Sequence, residues 1–135
     1  MSKRAIPMRA GVRIAPGRAV VRIREFELQA QEESIEPMPG AAPSGEEIAL
    51  AALGACFLTS FVYAAAAVRA DLLDASVEVE WGDPATPAVL ALHVRRASSA
   101  SSQEQRIQRA LLLASSVCTL THTLRVPPSI RLTVE

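Results

Sequence analysis

The first third of the chain carries short apolar runs in the manner of strands. Gly11 to Ile14 and Arg18 to Ile23 flank Pro16-Gly17, a turn pair. Phe26-Glu27-Leu28-Gln29-Ala30 alternates apolar and polar side chains, the period of a half-buried strand. Gln31 to Pro43 is acidic and holds Pro37, Pro39 and Pro43, so it reads as a loop. At Ser44 the pattern changes. Ser44-Gly45-Glu46-Glu47 fits a capping box, in which the Ser44 hydroxyl and the Glu47 carboxylate each accept the other's backbone N–H. From Ile48 to Val68 no side chain is charged, and the next charge is Arg69. One long helix is predicted there. Strands are expected again at Ser76 to Trp81 and Val89 to Arg95, joined through a turn from Gly82 to Pro87. After a polar linker, Ala97 to Ser102, Ile107, Ala110, Leu111 and Ala114 lie at helical spacing within Gln103 to Val117. Ile130 to Val134 closes the chain as a strand. The order is β-β-(β)-α-β-β-α-β: a single α+β domain over residues 1–135, without internal repeats.

The uncharged run is long enough to cross a membrane. It is also rich in alanine and interrupted by Gly54, Thr59 and Ser60, and its flanks read as strands of a soluble domain. The alternative is a buried central helix, apolar on every side. In so small a chain, rich in short side chains, a partner subunit would help to cover it. A helix within a soluble homodimer is the expectation, with no membrane span.

Composition narrows the function. Half of the residues are hydrophobic and 21% charged, which permits a packed core. Fourteen basic and fourteen acidic residues balance, so no nucleic-acid footprint is expected. Met1 to Pro7 lacks the apolar run of a signal peptide, and a cytoplasmic location is the expectation. In that compartment two cysteines are catalytic or simply buried rather than a permanent disulfide.

Cys56 lies inside the long helix and Cys118 at the end of the second. Two readings compete: inert core thiols, or a redox pair. A metal site is disfavoured, because there is no CxxC and His93 and His122 do not stand at ligand spacing from the cysteines. His122 is either an exposed polar residue or a partner of Cys118, one helical turn on. His93, in an alternating strand, should face solvent. A cysteine–histidine hydrolase lacks an orienting third group.

The stretch Ser44-Gly45-Glu46-Glu47-Ile48-Ala49-Leu50-Ala51-Ala52-Leu53-Gly54-Ala55-Cys56-Phe57 resembles the signature of the OsmC/Ohr family, with a glutamate ten residues before the first cysteine. Ala75 to Trp81 is similar to the family's next strand. Ser115-Ser116-Val117-Cys118-Thr119-Leu120-Thr121 corresponds to its second cysteine, followed by a short helix and a last strand. Three positions depart from the family pattern: Thr119 stands for a proline, Gly45 for a proline, and Pro39-Gly40 for a double glycine.

The resemblance implies an OsmC-like fold, with antiparallel sheets around a long buried central helix in an intertwined dimer. It implies a thiol-dependent peroxidase acting on organic hydroperoxides. Cys56 would be the peroxidatic thiolate and Cys118 the thiol that resolves its sulfenic acid into a disulfide. A mid-helix thiol gains nothing from a helix N-terminus, and burial opposes its charge, so a cation must stand nearby. The resemblance assigns an arginine near the first strands: Arg18, with Arg13, Arg22 and Arg24 as competitors. Glu46 would orient that arginine through a paired carboxylate, although a helix N-terminal acid already accounts for it. Ten residues of helix separate Glu46 from Cys56 by about 15 Å, a distance bridged by a long arginine, a helix break or the other subunit. Implied partners are an organic hydroperoxide, a dithiol reductant of the kind carried by lipoylated proteins, and a second copy of the chain, with no cofactor. The rival is a non-catalytic OsmC-like dimer that binds a small apolar ligand.

Overall fold

The computed structural model describes residues 9–15, 18–30, 42–83 and 85–135, without the side chains of residues 14, 15 and 18. The expected turn at Pro16-Gly17 and most of the expected loop, residues 31–41, lie outside the described residues. The chain forms two compact units, residues 1–49 and 50–135.

The first unit holds an antiparallel sheet of β1 (Gly11–Ala15), β2 (Arg18–Ile23) and β3 (Phe26–Ala30), in that order. Its register places Val12, Val21 and Leu28 in one cross-strand row and Arg13, Val20 and Gln29 in the next, on the opposite face. A two-residue turn at Arg24-Glu25 joins β2 to β3. Arg24 takes a positive φ of 54°, as a tight hairpin that follows the strand twist requires. The Arg24 guanidinium lies 5.9 Å from the centre of the Phe26 ring.

Helix α1 (Gly45–Ala67) begins as its sequence dictates. Glu47 N–H donates to Ser44 Oγ at 3.1 Å, and Ser44 N–H donates to Glu47 Oε1 at 3.0 Å. The box thus satisfies two backbone donors at the helix start. At the other end Ala70 N–H reaches the Ala65 carbonyl at 2.9 Å and Arg69 N–H the Ala66 carbonyl at 3.2 Å. These are the two bonds of a Schellman ending, with Arg69 at φ 59° in the place that favours glycine.

The second unit is built on β4 (Leu72–Glu80), β5 (Val89–Arg96) and β6 (Ser129–Val134). Strands β4 and β5 form the expected hairpin. Its turn is held by Asp83, whose Oδ1 accepts from Ala85 N–H and whose carbonyl accepts from Thr86. Strand β6 pairs with β5 in parallel, so the expectation of wholly antiparallel sheets is corrected at this edge. The reason is topological: α2 (Ser101–Val117) and α3 (Thr119–Thr123) intervene between β5 and β6, and a helical crossover returns the chain in the same direction. Alternation then sorts the sheet. Three rows, Ala75-Val94-Val134, Val77-Leu92-Leu132 and Val79-Leu90-Ile130, form the face packed into the core. Residues such as Ser76, Glu78, His93 and Arg131 occupy the solvent face.

Against that apolar face lie Leu53, Phe57, Phe61, Ala64 and Ala65 of α1 and Ile107, Ala110 and Ala114 of α2. Gly54 makes a close approach to β4. A Cβ there would stand 3.0 Å from Val79 Cγ2 and 3.3 Å from Val77 Cγ1. By length and composition α1 could cross a membrane, with a window of mean hydropathy 2.0. Within the second unit it packs as a core helix, with Phe57 and Phe61 fully buried. Its other side remains open: Val62 and Tyr63 are 50% and 76% exposed.

Two boundaries differ from expectation by more than one residue. β4 starts at Leu72 rather than Ser76, because an irregularity between Leu72 and Asp74 breaks the alternation that marks a strand in sequence. α2 starts at Ser101 rather than Gln103, with no side-chain cap on Ala100 to announce it. Tertiary contacts hold that end instead. Asp71 N–H donates to buried Gln103 Oε1 at 2.7 Å, and Arg106 Nη1 donates to the Arg69 carbonyl at 3.0 Å.

Two stability measurements check this account. Gly54→Val sets a branched side chain against two stiff valines, and should cost about 3 kcal/mol, lowering the thermal midpoint by about 10 °C. Arg69→Gly relieves the left-handed backbone and should add about 1 kcal/mol, provided the Arg106 bond to its carbonyl persists. Thermal unfolding followed by Trp81 fluorescence reads both.

Candidate active site

Helix α1 turns Leu53, Gly54, Phe57 and Phe61 toward the sheet, and Cys56 lies at the margin of that stripe, partly exposed. The hydroxyls nearby are satisfied within the helix. Thr59 Oγ1 donates to the Ala55 carbonyl at 2.8 Å and Ser60 Oγ to the Cys56 carbonyl at 3.0 Å, so neither leaves a polar group loose in an apolar segment.

Cys118 continues the stripe Ile107, Ala110, Ala114 of α2 into the core and is 0% exposed. It is also the residue at which the helix stops. Its N–H still donates to the Ala114 carbonyl at 2.9 Å, but its φ of −67° and ψ of 111° are extended, and α3 starts at the next residue. Thr121 Oγ1 returns a bond to the Cys118 carbonyl at 2.9 Å. This break between two helices directs the side chain at α1. The Sγ atoms of Cys118 and Cys56 are 3.5 Å apart, and both are free thiols. A hydrogen bond between them is within reach, and closing the gap to a bonded S–S of about 2.05 Å needs only a small adjustment.

The other expected residues stand as follows. Glu46 is exposed in the first turn of α1, and the capping role belongs to its neighbour Glu47. α1 is unbroken from Gly45 to Ala67, so no helix break shortens the path from Glu46 to Cys56. Arg18 begins β2, and its side chain lies outside the described residues. Strand period places residues 20 and 22 on one face of β2, with Arg13 opposite Val20. Arg13 makes an exposed ion pair with Glu27 at 3.8 Å, and Arg24 is engaged at the turn over Phe26. His93 is exposed on the outer face of β5. Among the described residues no three potential ligands gather into a metal site.

Sequence reasoning missed two features. Gly54, inside a helix, could have been read as a close backbone approach. His122 is the exposed polar residue that the sequence allowed rather than a partner of Cys118, but its ring places Nε2 2.8 Å from the Ser116 carbonyl, a contact the sequence did not announce. No periodicity predicts a contact that doubles back over a helix break.

Comparison with known proteins agrees with this architecture. An OsmC-like protein from Mycoplasma pneumoniae superposes with a TM-score of 0.76 at 13% identity, covering 98% of each chain. The organic hydroperoxide resistance protein OsmC of Legionella pneumophila superposes with a TM-score of 0.67 at 19% identity, over 98% of this chain and 99% of that one. For the organic hydroperoxide resistance protein OhrB of Bacillus subtilis the values are 0.62 and 12%, over 98% and 100%. No curated protein sequence matches. The sequence itself matches the family described as OsmC-like protein over residues 38–133, more than half of its length and both cysteines included. The chain belongs to the OsmC-like protein family.

Proposed function

We propose that this protein is a two-cysteine peroxidase that reduces organic hydroperoxides. The observation that carries the reading is the 3.5 Å approach of two free thiols. The names of structural relatives as organic hydroperoxide resistance proteins supply the substrate class.

Exposure assigns the order of events. Cys56 is partly exposed and Cys118 is sealed in the core, so a peroxide reaches Cys56 first. The Cys56 thiolate attacks the terminal peroxide oxygen, the O–O bond breaks, and the alkoxide takes a proton and leaves as alcohol. Cys56 is then a sulfenic acid. The Cys118 sulfur displaces its hydroxyl, forming the disulfide and releasing water. A dithiol, of the kind carried by lipoylated proteins, returns the pair to thiols by exchange. No metal or organic cofactor enters these steps.

Thiolate formation calls for the arginine. Arg18 is our first choice. Arg24 is engaged over Phe26 and Arg13 faces Glu27, which leaves Arg22 as the nearest competitor. Glu46, free of the capping box, would orient that guanidinium. Assembly as an intertwined homodimer is supported by the apolar side chains α1 and α2 leave open, among them Tyr63, Leu112 and Val117. The same surface suits an alkyl or fatty-acid peroxide. The whole chain acts as one domain per subunit, in a reducing cytoplasmic setting that keeps the pair ready.

Stopped-flow mixing of the reduced protein with cumene hydroperoxide, followed by thiol counting, should show two thiols lost per subunit. Cys56→Ser should abolish the reaction, whereas Cys118→Ser should lose one thiol and leave a sulfenic acid on Cys56 that dimedone traps. Thiols unchanged at peroxide excess would sink the reading in favour of a non-catalytic apolar-ligand binder. Arg18→Ala should slow the first step by about 100-fold or more, in line with losing charge stabilisation of a partly buried reacting group. An unchanged rate would move the role to Arg22.

A further inference from the structure

We infer that His122 is a positioning residue: its ring ties α3 back to the end of α2 and so holds Cys118 against Cys56. The inference rests on the two-thiol reading above and concerns the same site.

Three observations carry it. First, α3 has only five residues and buries none of them. A helix so short cannot persist on its own propensity, and here no fully buried side chain of its own holds it. Second, its other side-chain bonds are local. Thr121 Oγ1 reaches the Cys118 carbonyl and Thr123 Oγ1 the Leu120 carbonyl, each three residues back. Third, His122 Nε2 meets the Ser116 carbonyl at 2.8 Å. Among the described residues this is the one bond from a side chain of α3 that crosses Cys118 into α2. Ser116 lies in the last turn of α2, where carbonyls lack an intrahelical partner. The ring N–H therefore caps one helix while anchoring the next. Cys118, the extended residue between them, is held from both sides.

The consequence is one of population. Cys118 faces Cys56 in the conformer with α3 docked, and the tendency to form the disulfide scales with the fraction of molecules in that conformer. An exposed hydrogen bond of ordinary strength shifts such an equilibrium by about fivefold. Removing the ring should let α3 fray while the core, built from α1, α2 and the sheet, is left as it was.

The test equilibrates the full-length protein with reduced and oxidised glutathione. Two electrons and two protons pass from Cys56 and Cys118 to oxidised glutathione, giving the protein disulfide and two reduced glutathiones. Trapped thiols are then counted. His122→Ala should lower the effective concentration of the pair, by at most about fivefold. Backbone amides of residues 119–123 should exchange faster, and the thermal midpoint of the reduced protein should fall by no more than about 3 °C. His122→Gln, which still offers an N–H at similar reach, should restore most of the loss. An effective concentration unchanged in His122→Ala would overturn the inference. So would equal losses in the Ala and Gln variants, or a wild-type protein that forms no disulfide in the buffer. The peroxidase reading fails separately: a wild type that forms the disulfide with glutathione yet loses no thiols to peroxide would retain the positioning role and remove only that activity.

Discussion

Everything in the second unit depends on how closely α1 approaches β4. Gly54 has no side chain to hold the helix off, and its hydrogen faces Val77 and Val79 at distances a methyl group would crowd. That contact sets the depth of the helix in the core. Leu53, Phe57 and Phe61 follow it inward at helical spacing, and Cys56, two residues beyond Gly54, is left at the margin. A larger residue at 54 would lift α1 and carry Cys56 away from the sheet. The glycine weakens the helix it belongs to, by about 1 kcal/mol relative to alanine, and the packing it permits offsets that loss.

The second constraint is the helix break at Cys118. A sulfur on a regular helix points along a direction fixed by that helix, whereas a residue between two helices can be turned by both. α2 packs through Ile107, Ala110 and Ala114 and brings the chain to the right place, and the extended backbone of Cys118 then directs the thiol across to α1. The core seals one thiol while the helix margin leaves the other partly open. One packing arrangement thus produces both the proximity of the sulfurs and the difference between them.

Much of this was legible in the sequence because it is local. The capping box at Ser44 and Glu47 declares itself in four residues, and the rows of β4, β5 and β6 follow from simple alternation. The start of α2 was not legible, because Gln103 and Arg106 bond to a segment more than thirty residues away. Nor was the parallel pairing of β6, since alternation marks a face and carries no direction. At the site, spacing and family resemblance singled out both cysteines, but their mutual approach spans 62 residues and depends on the whole core. Arg18 and Glu46 belong to the first unit, apart in sequence from both cysteines.

The exposed apolar side chains give the last step. A monomer that leaves Tyr63, Leu112 and Val117 largely open, while burying Phe57 and Phe61 completely, has solved half of a packing problem. The sheet of the second unit can cover only one side of an uncharged helix, and charges for the other side are missing from Ile48 to Val68. Water is a poor neighbour for that surface, at about 25 cal/mol for each Å² left exposed. The same lack of charge that favours burial of α1 in the core leaves its second face apolar, with Val62 and Tyr63 exposed. If a partner subunit covers that face, the surroundings of Cys56 become drier, and an arginine counter-charge matters more to the thiolate than it would in water. Dimer formation and thiol activation would then be one physical problem, posed by a helix with no charges of its own.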